Sequence, residues 1–178
     1  MLRSANPFHR FAFLVVVLAG SQVSALVAQE LPHRPWTVTA AFTGVRTGGV
    51  TSWFYGPELG LRRDFGRATG PRWGVELRAA LPVLDTHEGT DDGAAFLDLG
   101  PTLSFTSDKG EFVFSAGATA FLVGDASELV DGGIGGFFGG HGTAWLTPSL
   151  GAVVAAKVRV SGQGSAYPSL SLGLAVRF

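Results

Sequence analysis

The chain contains no cysteine, so disulfides and thiol chemistry take no part in its structure or function. Charge is also scarce. Asp, Glu, Lys and Arg make up 15% of the 178 residues and nearly cancel, leaving a formal net charge of −1. That balance excludes the bulk attraction by which basic proteins gather nucleic acid or anionic membrane surfaces. Beyond the N-terminus, Gly, Asp or Arg interrupts every apolar stretch before it approaches the ~20 residues of a spanning helix. A mature chain that crosses a membrane must therefore do so as strands. Glycine, by contrast, is plentiful at 26 residues, which argues against amphipathic helices and for strands joined by tight turns and glycine-rich loops. The length suits one domain.

The first thirty residues have the make-up of a secretory signal. Arg3 and Arg10 supply positive charge, residues 11–19 form an apolar core, and small residues follow. Cleavage is expected after Ala25 or Ala28, so residues 1–28 are the signal and residues 29–178 the exported domain. A core of about nine residues is too short for an anchor.

Alternation organises the remainder. Trp36, Val38, Ala40 and Phe42 share one face of a first strand, and Thr37, Thr39 and Thr43 lie opposite. Residues 53–65 set Trp53, Tyr55, Leu59, Leu61 and Phe65 against Glu58, Arg62 and Asp64. Residues 73–83 set Trp73, Val75 and Leu77 against Glu76 and Arg78, and residues 95–105 set Leu97, Leu99 and Phe105 against Asp98. A fifth strand follows at residues 112–120. Residues 124–142, which include a run of glycines, are expected to form the longest loop, with strands six and seven at 143–153 and 157–161. Between Gly151 and Val160 no strong turn former marks the boundary. The last strand, residues 167–178, alternates Leu170, Leu172, Leu174, Val176 and Phe178 with small or polar residues. Pro-x-Leu recurs at Pro57, Pro101, Pro148 and Pro168, and its regular spacing places each copy in an even strand.

Eight segments of about ten residues suit an all-β, eight-stranded, antiparallel up-and-down transmembrane barrel. The longest loops fall on one side and the short turns on the other, as expected when both ends of the barrel chain face the periplasm. Aromatics sort to strand ends: Trp36, Phe65, Trp73, Phe105, Phe112 and Phe178 at the inner interface, Trp53, Tyr55, Trp145 and Tyr167 at the outer one.

Ser171-x-Gly173-x-x-Val176-x-Phe178 resembles the C-terminal signal of bacterial outer-membrane β-barrels, with a polar residue, a glycine and alternating apolar positions, the last aromatic. With that ending and this architecture, the exported domain resembles the small eight-stranded family of OmpA-like transmembrane domains, OmpX and OmpW. The resemblance implies residence in the bacterial outer membrane as a monomer among its lipids and lipopolysaccharide. It also implies insertion by the barrel-assembly machinery, with Ser171, Gly173, Val176 and Phe178 as the assembly signal. No peptidoglycan-binding domain is expected after the barrel.

With the oily faces toward lipid, the lumen is lined by Glu58, Arg62, Asp64, Glu76, Arg78, Asp98 and Arg159. Charges of both signs at neighbouring positions favour a salt-bridged plug over a gate or small-ion path. Asp85, Glu88, Asp91, Asp92, Asp125, Glu128 and Asp131 make the outer loops acidic, while Arg67, Arg72 and Lys109 fall in inner turns. Acidic loops of this kind are usually just solvated.

Catalytic patterns are missing. His33 precedes the first strand and His87 and His141 are expected in outer loops, without metal-ligand spacing. The His-x-Ser-Asn motif of outer-membrane lipid A deacylases is absent, and His141-Gly-Thr143 lacks the serine. The expectation is a non-enzymatic barrel without metal, cofactor or nucleic-acid partner, structural or interacting through its outer loops. The alternatives are a narrow channel or carrier for a small solute, an outer-membrane lipid-modifying enzyme, and a soluble lipocalin-like barrel, since alternation alone does not say which face is inside.

Overall fold

The computed structural model describes residues 34–46, 53–66, 70–82, 94–107, 109–123 and 133–178. The expected secretory segment and cleavage sites, His33, His87, Arg67 and the acidic loop residues lie outside these. Strand follows strand: β1 (Trp36–Arg46), β2 (Trp53–Phe65), β3 (Pro71–Ala80), β4 (Ala94–Ser107), β5 (Gly110–Val123), β6 (Gly133–Trp145), β7 (Leu150–Val160) and β8 (Ala166–Arg177). Each pairs antiparallel with its sequence neighbour, and β1 pairs with β8 from Thr37↔Arg177 to Val45↔Ser169. Closure leaves no strand edge with unmet backbone groups, which is the condition for a sheet to cross lipid.

The pleat decides what each wall carries. Phe42, Leu59, Trp73, Leu77, Leu99, Phe114, Leu170 and Leu174 are exposed on the outer wall, whereas Thr39, Glu58, Arg62, Glu76, Arg78, Asp98, Thr119 and Arg159 are buried inside. A lipocalin-type barrel would show the reverse, apolar side chains inside and polar ones in water. This exterior suits lipid and not water.

Coiling the sheet this tightly brings backbones together. At Gly173 a Cβ would lie 2.2 Å from the carbonyl oxygen of Ala40 on β1. Only glycine fits that inner-face position, so closure of the barrel alone gives Gly173 a structural reason. At the same end of the barrel, Trp36 N donates to Phe178 O (3.2 Å) and Phe178 N to Trp36 O (3.0 Å). The short connections at 66–70, 108–109 and 146–149 share that end with the terminal residues. The connections after β1, β3, β5 and β7 share the other, which faces outward by the usual asymmetry of such barrels.

Two elements differ from the expectation. Residues 133–142 are not loop but most of β6, paired with β5 from Gly110↔Ala144 to Phe121↔Gly133 and with β7 from Gly136↔Val160 to Trp145↔Gly151. Glycine has little strand propensity, yet ladder bonds need no side chain and two flanking strands supply the partners. The alternation survives within the run, with Phe137 buried and Phe138 exposed. Strand β7 accordingly begins at Leu150, which resolves the ambiguous 151–160 stretch as a single strand. The turn before it contains Pro148, so the third copy of Pro-x-Leu does not lie in an even strand.

Candidate functional site: the charged lumen

Inward-facing side chains of all eight strands fill the interior in layers. Its middle is an ion-pair network. Arg78 Nη1 donates to Glu58 Oε1 at 2.6 Å and Arg78 Nε donates to Glu76. Asp98 on β4 receives Lys157 Nζ at 2.8 Å and Arg159 Nη2 at 2.8 Å from β7 across the lumen. Arg159 Nη1 reaches Ser169 Oγ (3.2 Å), and Ser171 Oγ donates to Glu58 Oε2 (3.2 Å). Nearer the terminal end, Arg62 pairs with Glu111 at 2.6 Å and Asp64 at 3.1 Å, and Glu111 also takes Arg72 at 3.2 Å. Glu58, Arg62, Asp64, Glu76, Arg78, Asp98 and Arg159, the seven charges expected in the lumen, are all buried among these ion pairs. Partnered charges of opposite sign can stay ionised there, because each removes much of the other's desolvation cost.

Several members were not anticipated. Arg72 faces the lumen from β3 and is not a turn residue. Lys157 sits two residues from Arg159 on the same inner face of β7, a spacing that signals its role even within the expected strand at 157–161. His141 lies on β6 in the lumen and not in an outer loop, 5% exposed. Its ring is held between two guanidinium groups, with Arg62 Nη1 3.1 Å from Nε2 and Arg78 Nη2 3.4 Å from Nδ1. An imidazole offers an acceptor on one nitrogen at most, so only one of these arginines donates to it.

Above the charges, toward the outer mouth, the lumen becomes apolar. Phe96, Phe121 and Tyr167 pack with ring centroids 5.5, 6.0 and 5.3 Å apart, and Val45 and Ala80 complete the cluster. Arg159 Cζ lies 4.8 Å from the Phe96 ring centre, joining this layer to the charges below. At the terminal end Trp145 is stacked under the Arg177 guanidinium at 4.0 Å, and Arg177 Nε donates to Pro148 O at 2.8 Å. Tyr167 and Trp145 are therefore lumen residues and not members of the outer girdle; Trp145 lies at the opposite end because β6 ends there. The inner girdle keeps its expected place, with Phe65, Trp73, Phe105, Phe112 and Phe178 exposed on the outer wall. Trp53 and Tyr55 form the outer girdle on β2, where Tyr55 stacks on Phe42 at 6.2 Å.

On the β2–β5 side, Asp64 Oδ1, Glu76 Oε2, Thr102 Oγ1 and Thr119 Oγ1 are buried without a partner among the described residues. Among the described residues no cluster of His, Cys, Asp and Glu has the geometry of a metal site.

No protein-family model and no curated protein matches the sequence. Solved structures do match its fold. The outer membrane protein Ail of Yersinia pestis, in a phospholipid bilayer nanodisc, aligns at 10% identity and a TM-score of 0.56 over 82% of this chain and 100% of its own. Neisserial surface protein A aligns at 12% identity and a TM-score of 0.53 over 80% and 97%. The outer membrane enzyme PagL aligns at 19% and 0.50 over 79% and 99%. Since an enzyme is among these, the shared fold does not separate catalytic from non-catalytic barrels. With apolar side chains on its outer wall, ion pairs within and a closed eight-stranded sheet like theirs, the chain has the fold of the small eight-stranded β-barrels of the bacterial outer membrane.

Proposed function

We propose that the barrel is a sealed, non-enzymatic membrane anchor, structural or acting through its outer loops. The observation that carries this reading is the filled lumen. Asp98, Lys157 and Arg159 bridge opposite walls, and the Phe96–Phe121–Tyr167 cluster covers them. Eight strands enclose an interior that side chains alone can fill. Against catalysis stands the placement of His141, the one histidine among the described residues. Both its ring nitrogens face arginine, no serine among the described residues bonds to it, and it opens to neither lipid nor water. On this reading the protein works as a monomer surrounded by outer-membrane lipids and lipopolysaccharide, after the assembly machinery has read its last strand.

A second reading, a narrow path for a small solute, draws on the unpartnered polar atoms of Asp64, Glu76, Thr102 and Thr119, which line one side of the lumen. Conductance in planar bilayers decides between the two. The sealed barrel gives no stable step, and a stable pore of reproducible size defeats it in favour of the solute path.

A further inference from the structure

Among the described residues, the strands carry two charges on their outer face. Among the described strand residues, every charged side chain is buried in the lumen except Arg46 and Arg63, which are exposed. Both lie on the β1–β2 seam, and each faces a tryptophan across it: Trp36↔Arg63 at the terminal end and Arg46↔Trp53 at the outer end. Along β1 the two levels are ten residues apart, from Trp36 to Arg46. Ten steps of about 3.4 Å, foreshortened by a tilt of ~45°, make a height of about 24 Å, which matches the ~25 Å apolar band of membrane barrels. Each arginine thus sits where hydrocarbon gives way to headgroups, one in each leaflet.

Arg63 is the better defined of the two. Its Cζ lies 5.1 Å from the Trp36 ring centre and 5.3 Å from that of Phe65, so the rings flank the guanidinium on β1 and β2. Trp73, paired with Phe65, stands exposed beside them on β3. Among the described residues no carboxylate pairs with Arg63, in contrast to the lumen arginines Arg62, Arg72, Arg78 and Arg159. A planar cation held by rings keeps its N–H edge free, and that edge matches two oxygens of a phosphate. At this depth and on this face, the abundant anion is a lipid phosphodiester.

We infer that Arg63, framed by Trp36, Phe65 and Trp73, is a seat for the headgroup phosphate of a periplasmic-leaflet phospholipid. The site names one lipid contact of the membrane anchor. It rests on the lipid-facing placement of the outer wall and not on the sealed lumen, so conductance leaves it untouched.

The test uses the full mature chain, refolded in octyl glucoside, a detergent without phosphate. Trace phosphatidylglycerol with a photoreactive headgroup is added, and adducts are mapped by mass spectrometry. Labelling is expected on residues 63–75. In Arg63→Gln, checked as folded by heat-modifiable gel mobility, it should fall about tenfold, the loss that one charge-assisted contact implies. Arg63→Lys, which keeps the charge but not the two-pronged geometry, should fall between. A galactolipid probe of the same design and chains should label the wild type far less, and this comparison stands even if the variants fail to refold. Unchanged labelling in a folded Arg63→Gln, or equal labelling by the galactolipid, overturns the site. Loss of labelling in millimolar inorganic phosphate assigns it to free phosphate and overturns the lipid assignment.

Discussion

Replacing Asp98 by Asn removes one negative charge while preserving the size of a side chain that two cations share. Lys157 Nζ lies 2.8 Å from Asp98 Oδ2, and Arg159 contacts the same carboxylate through Nε at 3.0 Å and Nη2 at 2.8 Å. Hydrogen bonds to charged groups contribute about 1.5–3 kcal/mol each, so losing the charge on both sides removes roughly 3–6 kcal/mol. That agrees with the ~3–5 kcal/mol typical when one partner of a buried pair is deleted. Little compensates. Glu58 stands 3.9 Å from Arg159, and the Lys157 ammonium keeps its place 4.5 Å from the centre of the Phe137 ring, an attraction of about 1 kcal/mol that exists already in the wild type. A net loss of about 3–4 kcal/mol is therefore expected. The assay is reversible guanidinium unfolding in lipid vesicles, followed by tryptophan fluorescence. With a slope of roughly 4 kcal/mol per M, the midpoint should fall by about 1 M while the slope is unchanged. Adding Lys157→Met removes one of the stranded cations, and the double variant should recover about half of the loss through its coupling energy of ~1–3 kcal/mol. An Asp98→Asn barrel within about 1 kcal/mol of wild type would refute the view that these charges are dry and mutually dependent.

Other expectations follow from the closing strand and the Phe96–Phe121–Tyr167 cluster. Gly173→Val places a Cβ where the Ala40 carbonyl stands, so the yield of heat-modifiable barrel should collapse; normal yield would mean that β1 and β8 close in another register. Deleting Phe178, or replacing it with Asp, should impair insertion, because it removes an exposed aromatic whose backbone pairs with Trp36; pulse-labelled cells with normal folded levels would contradict this. Phe96→Ala should cost about 3–5 kcal/mol in the same unfolding assay, since Phe96 is 2% exposed and packs on both Phe121 and Tyr167.

Much of the barrel is legible in the chain because membrane strands alternate strictly. On β2 and β3, residues two apart (Arg62 and Asp64, Glu76 and Arg78) must share a wall, so sequence alone groups most of the lumen network. It failed at β6, where residues 133–142 look like loop by composition. That reading carries His141 outward and shortens β7, although Lys157, two residues from Arg159, already falls on the lumen face of the expected seventh strand. The pairing that makes β6 a strand comes from β5 and β7, and no local preference for strand is needed once both neighbours are in place. Trp145 and Tyr167 were misplaced for a related reason. An aromatic at a strand end satisfies a girdle pattern equally well facing lipid or lumen, and the register decides between them.

What the sequence by itself determined is which residues lie together on a face, and that the last strand ends in Gly173, Val176 and Phe178 at alternating and aromatic positions. Local covalent geometry sets that period of two, so no distant contact is required. Which face is the inside was decided only by the closed sheet. Closure joins Thr37 to Arg177, and curvature then gives the inner wall less room than the outer. Glycine fits there beside a neighbouring backbone, while Arg78, Asp98 and Arg159 must find partners on other strands, and the apolar side chains are left to the lipid.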